Sequence, residues 1–179
     1  MALPDTLKLG LGTPVIWGEV GATGISLTVT KTLTFEALAD AAGRMGASAD
    51  LGASWDRDYL LQLIIETGTA PTAGTTVELY LAWSHDNTNW PGKVTGSDAA
   101  YPATVAANKL QLGNPASILI TTADTNTVLK QNPVVIRAMA RYVTPVVVNL
   151  SGQAVRDETT ATDNDSRVVL TPLIYSITD

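Results

Sequence analysis

The sequence predicts an all-β chain, folded as a two-sheet antiparallel sandwich of jelly-roll type with an extended N-terminal arm. Three observations carry that expectation. Threonine supplies 25 of the 179 residues, and Val and Ile are frequent. Such β-branched side chains fit a pleated, half-buried surface and lose rotamer freedom in a helix. Several segments alternate apolar and polar residues, the period of a strand with one wet face. Clusters of Gly, Pro, Asn and Asp punctuate those segments as turn signals.

Residues 1–23 read as the extended arm. Apolar residues alternate there, but Pro4, Pro14 and glycines at 10, 12, 18 and 21 interrupt a regular strand. Residues 24–179 form a single sandwich domain. From Gly24 to Thr34, Ile25, Leu27 and Val29 alternate with polar residues. Phe35 to Ala42 has helical character, with Thr34 as an N-cap and Gly43 as a stop, and reads equally as a short helix or a loop. Gly43 to Leu51 alternates weakly. Tyr59 to Glu66 is an almost continuous apolar run, as in a central strand, and Thr75 to Ser84 alternates through Val77, Leu79, Leu81 and Trp83. The turn signal from Thr67 to Gly74 joins these two as an antiparallel hairpin. Lys109 to Leu112, Ser117 to Thr121, Val134 to Ala140, Tyr142 to Leu150 and Arg167 to Ile174 complete eight or nine strands. Pro145 cannot donate to a ladder, so its strand is expected to be broken, bulged or at an edge. His85 to Asn108 and Arg156 to Ser166 are long polar loops. Eight strands with long connections at one end suit a jelly roll, with an immunoglobulin-like sandwich as the alternative.

Composition excludes several function classes. No cysteine is present, so disulfide scaffolds, thiolate metal sites and Cys nucleophiles are out. The formal charge is −6 and no stretch is rich in Lys or Arg, which argues against nucleic acid as a partner. No apolar run is long enough for a membrane span. Residues 1–10 lack the basic start and apolar core of a secretory signal, so a product made in the cytoplasm is expected. Only 16 % of residues are charged, against roughly 25 % on average, which predicts that part of the surface is covered by something else.

Candidate chemistry is sparse. His85 is the sole histidine, and its neighbour Ser84 points to the opposite face of a strand, so the two do not form a nucleophile–base pair. The oxygen-rich runs Asp86-Asn-Thr-Asn89 and Asp163-Asn-Asp165 lack the calcium-loop pattern and serve as turns. Glu36, Glu66, Glu78 and Asp56 are carboxylates that nothing in the sequence pairs for glycoside hydrolysis. Gly10-Leu-Gly12 precedes Thr-Pro and not a helix, so it is no phosphate cradle. No cofactor, metal site or catalytic residue is predicted. Trp90 and Tyr101, in the long loop, are the candidates for contact with a sugar or a protein.

The order of certain segments resembles a known group. Ala42-Gly-Arg-Met-Gly-Ala-Ser-Ala-Asp-Leu51 precedes Tyr59-Leu-Leu-Gln-Leu-Ile-Ile-Glu66 and Thr75-Thr-Val-Glu-Leu-Tyr-Leu-Ala-Trp-Ser84. Thr95-Gly-Ser-Asp-Ala-Ala-Tyr101, Ala140-Arg-Tyr-Val143 and Val148-Asn-Leu-Ser-Gly-Gln-Ala154 follow. This succession resembles small structural proteins of tailed-bacteriophage virions over most of the chain from residue 24. The resemblance implies a capsid decoration or cement protein, non-enzymatic and located in the virion. It would work as a dimer or trimer that clamps the major capsid protein or another virion protein. The arm residues Leu3, Leu7, Leu9, Leu11, Val15, Ile16 and Trp17 are the expected partner-binding set, since an alternating apolar segment can add a strand to a neighbour's sheet. Folding back of the arm on its own sandwich is the other course open to it. A tail or fibre module that reads a host surface glycan through Trp90 and Tyr101 is the alternative function.

Overall fold

The computed structural model describes residues 7–19, 28–104, 106–156 and 165–177. In chain order the strands are β1 (Leu7–Leu11), β2 (Val15–Gly18), β3 (Lys31–Thr32), β4 (Gly43–Met45), β5 (Ala49–Asp50), β6 (Asp58–Thr67), β7 (Thr76–Ser84) and β8 (Ala99–Tyr101). A helix α1 (Ala106–Leu112) precedes β9 (Ser117–Ile120), β10 (Thr127–Lys130), β11 (Val134–Arg137), β12 (Tyr142–Leu150) and β13 (Arg167–Ile177). Two sheets form. The first runs β10-β6-β13-β2-β3, with β11 also on β6 and β1 also on β13; the second runs β8-β4-β12-β7-β9, with β5 also on β12.

The strand order is that of a jelly roll. Setting aside the short β3 and β8, and taking β1–β2, β4–β5 and β10–β11 as interrupted single strands, leaves eight. The first of the eight pairs with the last, β1–β2 on β13. The second pairs with the seventh, β4–β5 on β12. The third, β6, pairs with the sixth, β10–β11, and the fourth, β7, with the fifth, β9. The chain is thus one long antiparallel ribbon rolled into two sheets, which sets aside the immunoglobulin-like order.

The main core fills the space between the sheets. Leu61, Leu63 and Ile65 of β6, Val77 and Leu79 of β7, and Val168 and Leu170 of β13 meet Trp17, Leu33 and Phe35 there. A second cluster lies on the outer face of the second sheet, where Met45, Tyr80, Ala82, Tyr101, Val146 and Val148 pack under the long loop. Strand β12 is therefore buried on both faces, and its continuous apolar run Val-Thr-Pro-Val-Val-Val follows from that.

Pro145 sits in the middle of an unbroken central strand, and the interruption falls on its neighbour. The Gly46 N–H donates to the Pro145 carbonyl at 2.9 Å, so the side of Pro145 without a donor faces β4–β5. There β4 ends and β5 resumes one residue out of register, Met45 opposite Val146 but Ala49 opposite Val143. This is a bulge, and it removes the need for the missing N–H.

Three sequence expectations are corrected. Lys109 to Leu112 is the end of α1, not a strand, because Ala-Ala-Asn-Lys-Leu-Gln-Leu is rich in good helix formers. Of the two readings open for Phe35 to Ala42 the loop holds: Ala37 and Ala41 have φ of 49° and 59°, incompatible with a helix, while Phe35 and Leu38 are drawn into the core. Between Thr28 and Thr34 only Lys31–Thr32 is strand, and residues 24–27 lie outside the described residues. The polar stretch Arg156 to Ser166 lies largely outside them too. Finally, residues 7–18 of the expected arm are the first strand of the roll, as the register between Leu7 and Ile177 and between Trp17 and Val168 requires.

Candidate functional site

The expected partner-binding residues divide into two sets. Trp17 is fully buried in the main core, and its indole N–H donates to the Ala47 carbonyl at 2.7 Å, at the bulge opposite Pro145. Ile16 is buried on the other face with Ile64 and Val169, and Val15 packs against the core. Pairing of β2 with β13 turns Trp17 and Val15 between the sheets and leaves Ile16 covered on the outer face of its own sheet. Leu9 and Leu11 are different, 60 % and 66 % exposed. Leu7 pairs by its backbone with Ile177, and Leu3 lies outside the described residues.

The long loop is a lid on the second sheet. Asp86 organises its start, accepting the N–H groups of Thr88 and Asn89, each at 2.9 Å, and the Ser84 hydroxyl at 3.0 Å. Those bonds hold its carboxyl well below the usual carboxylate range. Asp98 ties the far part down, accepting from Arg44 Nε at 2.8 Å and from Thr34 Oγ1 at 2.6 Å. Trp90 is half-buried and seated on Gly96, where an added Cβ would lie 2.9 Å from its Nε1. Tyr101 is 4 % exposed, paired through β8 with Gly43, and its hydroxyl is buried without a hydrogen-bond partner. Tyr101 thus presents no open stacking face and Trp90 is partly covered, and both pack against the cluster under the loop.

The remaining candidates do not converge. His85 is exposed, while Ser84 is buried and bonded to Asp86. Glu66 is buried and accepts from the Asp165 N–H at 3.0 Å and from Arg156. Glu78 accepts from the Tyr80 hydroxyl at 2.7 Å and from Lys109 Nζ at 2.9 Å. Burial, then that carboxylate, raises the Tyr80 phenol above its ordinary value. Among the described residues no three His, Asp or Glu side chains gather as a metal ion would require. One feature escaped sequence reasoning. A cleft of about 450 Å³ opens between the sheets, lined by Leu81, Trp83, Leu112, Ile136, Arg137 and Met139. Its lining comes from three separate segments, so no local pattern signals it.

The surface that stands out lies at the joined ends of β1 and β13. Val168 and Leu170 face the core, so alternation turns Leu173 and Tyr175 to the outer face. Leu11 lies opposite Leu173 and Leu9 opposite Tyr175, which places all four on that face. Tyr175 is 53 % exposed, and its hydroxyl reaches Asp58 at 3.3 Å. Beyond β1 no described strand continues the sheet, since β3 pairs only with β2. An outer face on which Leu9, Leu11 and Tyr175 are exposed and Leu173 is buried thus runs to an edge with no partner strand among the described residues. Comparison with protein-family models, with curated proteins and with solved structures finds no match to this chain.

Proposed function

We propose that the chain is a non-enzymatic structural protein of a bacteriophage particle, a capsid decoration or cement protein that self-associates and clamps neighbouring capsid subunits. The observation that carries this reading is the β1 edge, unpaired among the described residues and bordered by Leu9, Leu11 and Tyr175. Unpaired strand edges and contiguous exposed apolar surface are liabilities in an isolated protein. A role in which another protein covers them accounts for both. The low share of charged residues, 16 %, points the same way. The jelly roll is shared by viral capsid domains, lectins and cupins, so the particle assignment leans on the resemblance in the order of segments and not on the fold. The major capsid protein, or another virion protein, is the partner this reading requires. Glycan recognition, the alternative, would rest on the partly exposed Trp90 alone, because Tyr101 is buried.

Immunogold labelling of intact particles of the phage that encodes the chain tests the reading. Antibody raised against the purified protein should decorate the outside of the head. Signal confined to infected-cell lysate, with bare particles, would refute it.

A further inference from the structure

We infer that two copies of this chain pair edge to edge through β1, antiparallel about a two-fold axis at Leu9. The inference deepens the assembly reading above and rests on its self-association part, not on the capsid. It starts from the backbone. The Gly12 N–H donates to the Pro172 carbonyl at 2.9 Å, in register with Leu11 opposite Leu173 and Gly10 opposite Ile174. In an antiparallel ladder, hydrogen-bonded and non-hydrogen-bonded pairs alternate. Gly12, Gly10 and Lys8 therefore turn their N–H and C=O groups toward β13. Leu7, Leu9 and Leu11 turn theirs away from it, to the side where no described strand lies.

Those three outward residues are evenly spaced, and that spacing is self-complementary. With the axis at Leu9, Leu9 of one copy faces Leu9 of the other, and Leu7 faces Leu11 in both directions. Each of these is a hydrogen-bonded pair, so every outward donor and acceptor of the strand finds a partner. An axis at Lys8 pairs only Leu7 with Leu9 and one at Gly10 only Leu9 with Leu11, so each leaves the outward groups of the third residue over, and an axis at Leu7 or Leu11 leaves more. Charge selects the same register. Lys8 is the sole charged residue of β1, and the Leu9 axis sets it opposite Gly10, whereas an axis at Lys8 would oppose two ammonium groups. The strand carries no proline, and Leu9 and Leu11 are mostly exposed, so among the described residues nothing blocks the approach of a second strand. The occupant that fits is a second copy of the same edge.

The register can be read by cross-linking, since the chain has no cysteine of its own. Lys8 and Gly10 of opposite copies form a non-hydrogen-bonded pair, with Cα atoms about 4.5 Å apart, within disulfide reach. A Cβ at Gly10 meets only the Ile174 carbonyl oxygen, at 3.9 Å, so Gly10→Cys is accommodated. Mild oxidation of mixed Lys8→Cys and Gly10→Cys chains should yield a cross-linked dimer, and neither variant alone should do so. Leu9→Pro supplies the second arm. Its lost N–H points outward, so the intramolecular ladder is untouched, while two N–H···O bonds of the dimer disappear. Dimerisation should weaken about thirtyfold by light scattering, with the thermal midpoint nearly unchanged. Self-cross-linking of Lys8→Cys alone, a trimer mass, or a wild-type monomer at its highest soluble concentration would overturn the inference. All arms use the isolated protein, so their failure is separate from a failure of particle labelling.

Discussion

Gly46, Pro145 and Trp17 form a single steric unit. A Cβ at Gly46 would stand 3.0 Å from Pro145 Cγ and 3.1 Å from Trp17 Cδ1, so the bulge, the proline and the buried indole require one another. Asp98 plays a comparable part for the loop, and its charge makes the effect pH-dependent. Burial raises its pKa, but the hydrogen bonds from Arg44 and Thr34 outweigh that and leave it lowered. A carboxylate depressed in the folded state stabilises above its unfolded pKa, about 4, and that stabilisation is lost as pH falls through the folded value. Asp98→Asn should therefore cost about 2 kcal/mol at pH 7, by urea denaturation, with the gap from wild type closing at pH below about 4. A gap independent of pH would assign the loss to packing instead.

At the scale of elements, the N-terminal segment is two devices in one strand. β1 is an edge with exposed leucines, whereas Trp17 and Ile16 of β2 are buried. Truncation should separate them. Removal of residues 1–12 should leave a folded protein that no longer self-associates. Removal of residues 1–22 also takes Trp17 out of the core. Loss of a large buried aromatic side chain costs about 3–5 kcal/mol, comparable with the whole stability of many domains, so that chain should be unfolded by circular dichroism. Equal stability of the two truncations would show that β2 is dispensable. The other elements differ in how far their sequence announces them. β6, β7 and β12 are long and strongly patterned, and were legible. β8 and β10 have three and four residues, too few to show a period. They are strands because Gly43 and Glu66 offer partners across the chain.

For the whole molecule the roll dictates how folding proceeds. β13 lies between β6 and the β1–β2 strand, so the first sheet closes only when residues from both ends of the chain have met. Pairings of such large sequence separation make closure entropy dominate the barrier, and all-β domains of this kind refold in about milliseconds to seconds. Refolding followed by tryptophan fluorescence after urea dilution should fall in or beyond that slow range. A chain deleted from Arg167 onward should not refold at all. Microsecond refolding would contradict the ribbon topology.

The sequence by itself determined the class. Threonine abundance, period-two alternation and turn punctuation called for two antiparallel sheets, and the number of strands favoured a jelly roll. Those signals are local, because a residue's preference for a pleated surface and the spacing of its apolar neighbours are written within a few positions. Partner strand, register and covered face depend on segments far apart in the chain, and only the tertiary structure decided them. It buried Trp17 through a bond to Ala47, seated Trp90 on Gly96, and left Leu9 and Leu11 at an edge with no partner among the described strands. The apolar residues of the N-terminal segment look alike in sequence. β13 separates them, burying Trp17 and Ile16 and leaving an edge at Leu9.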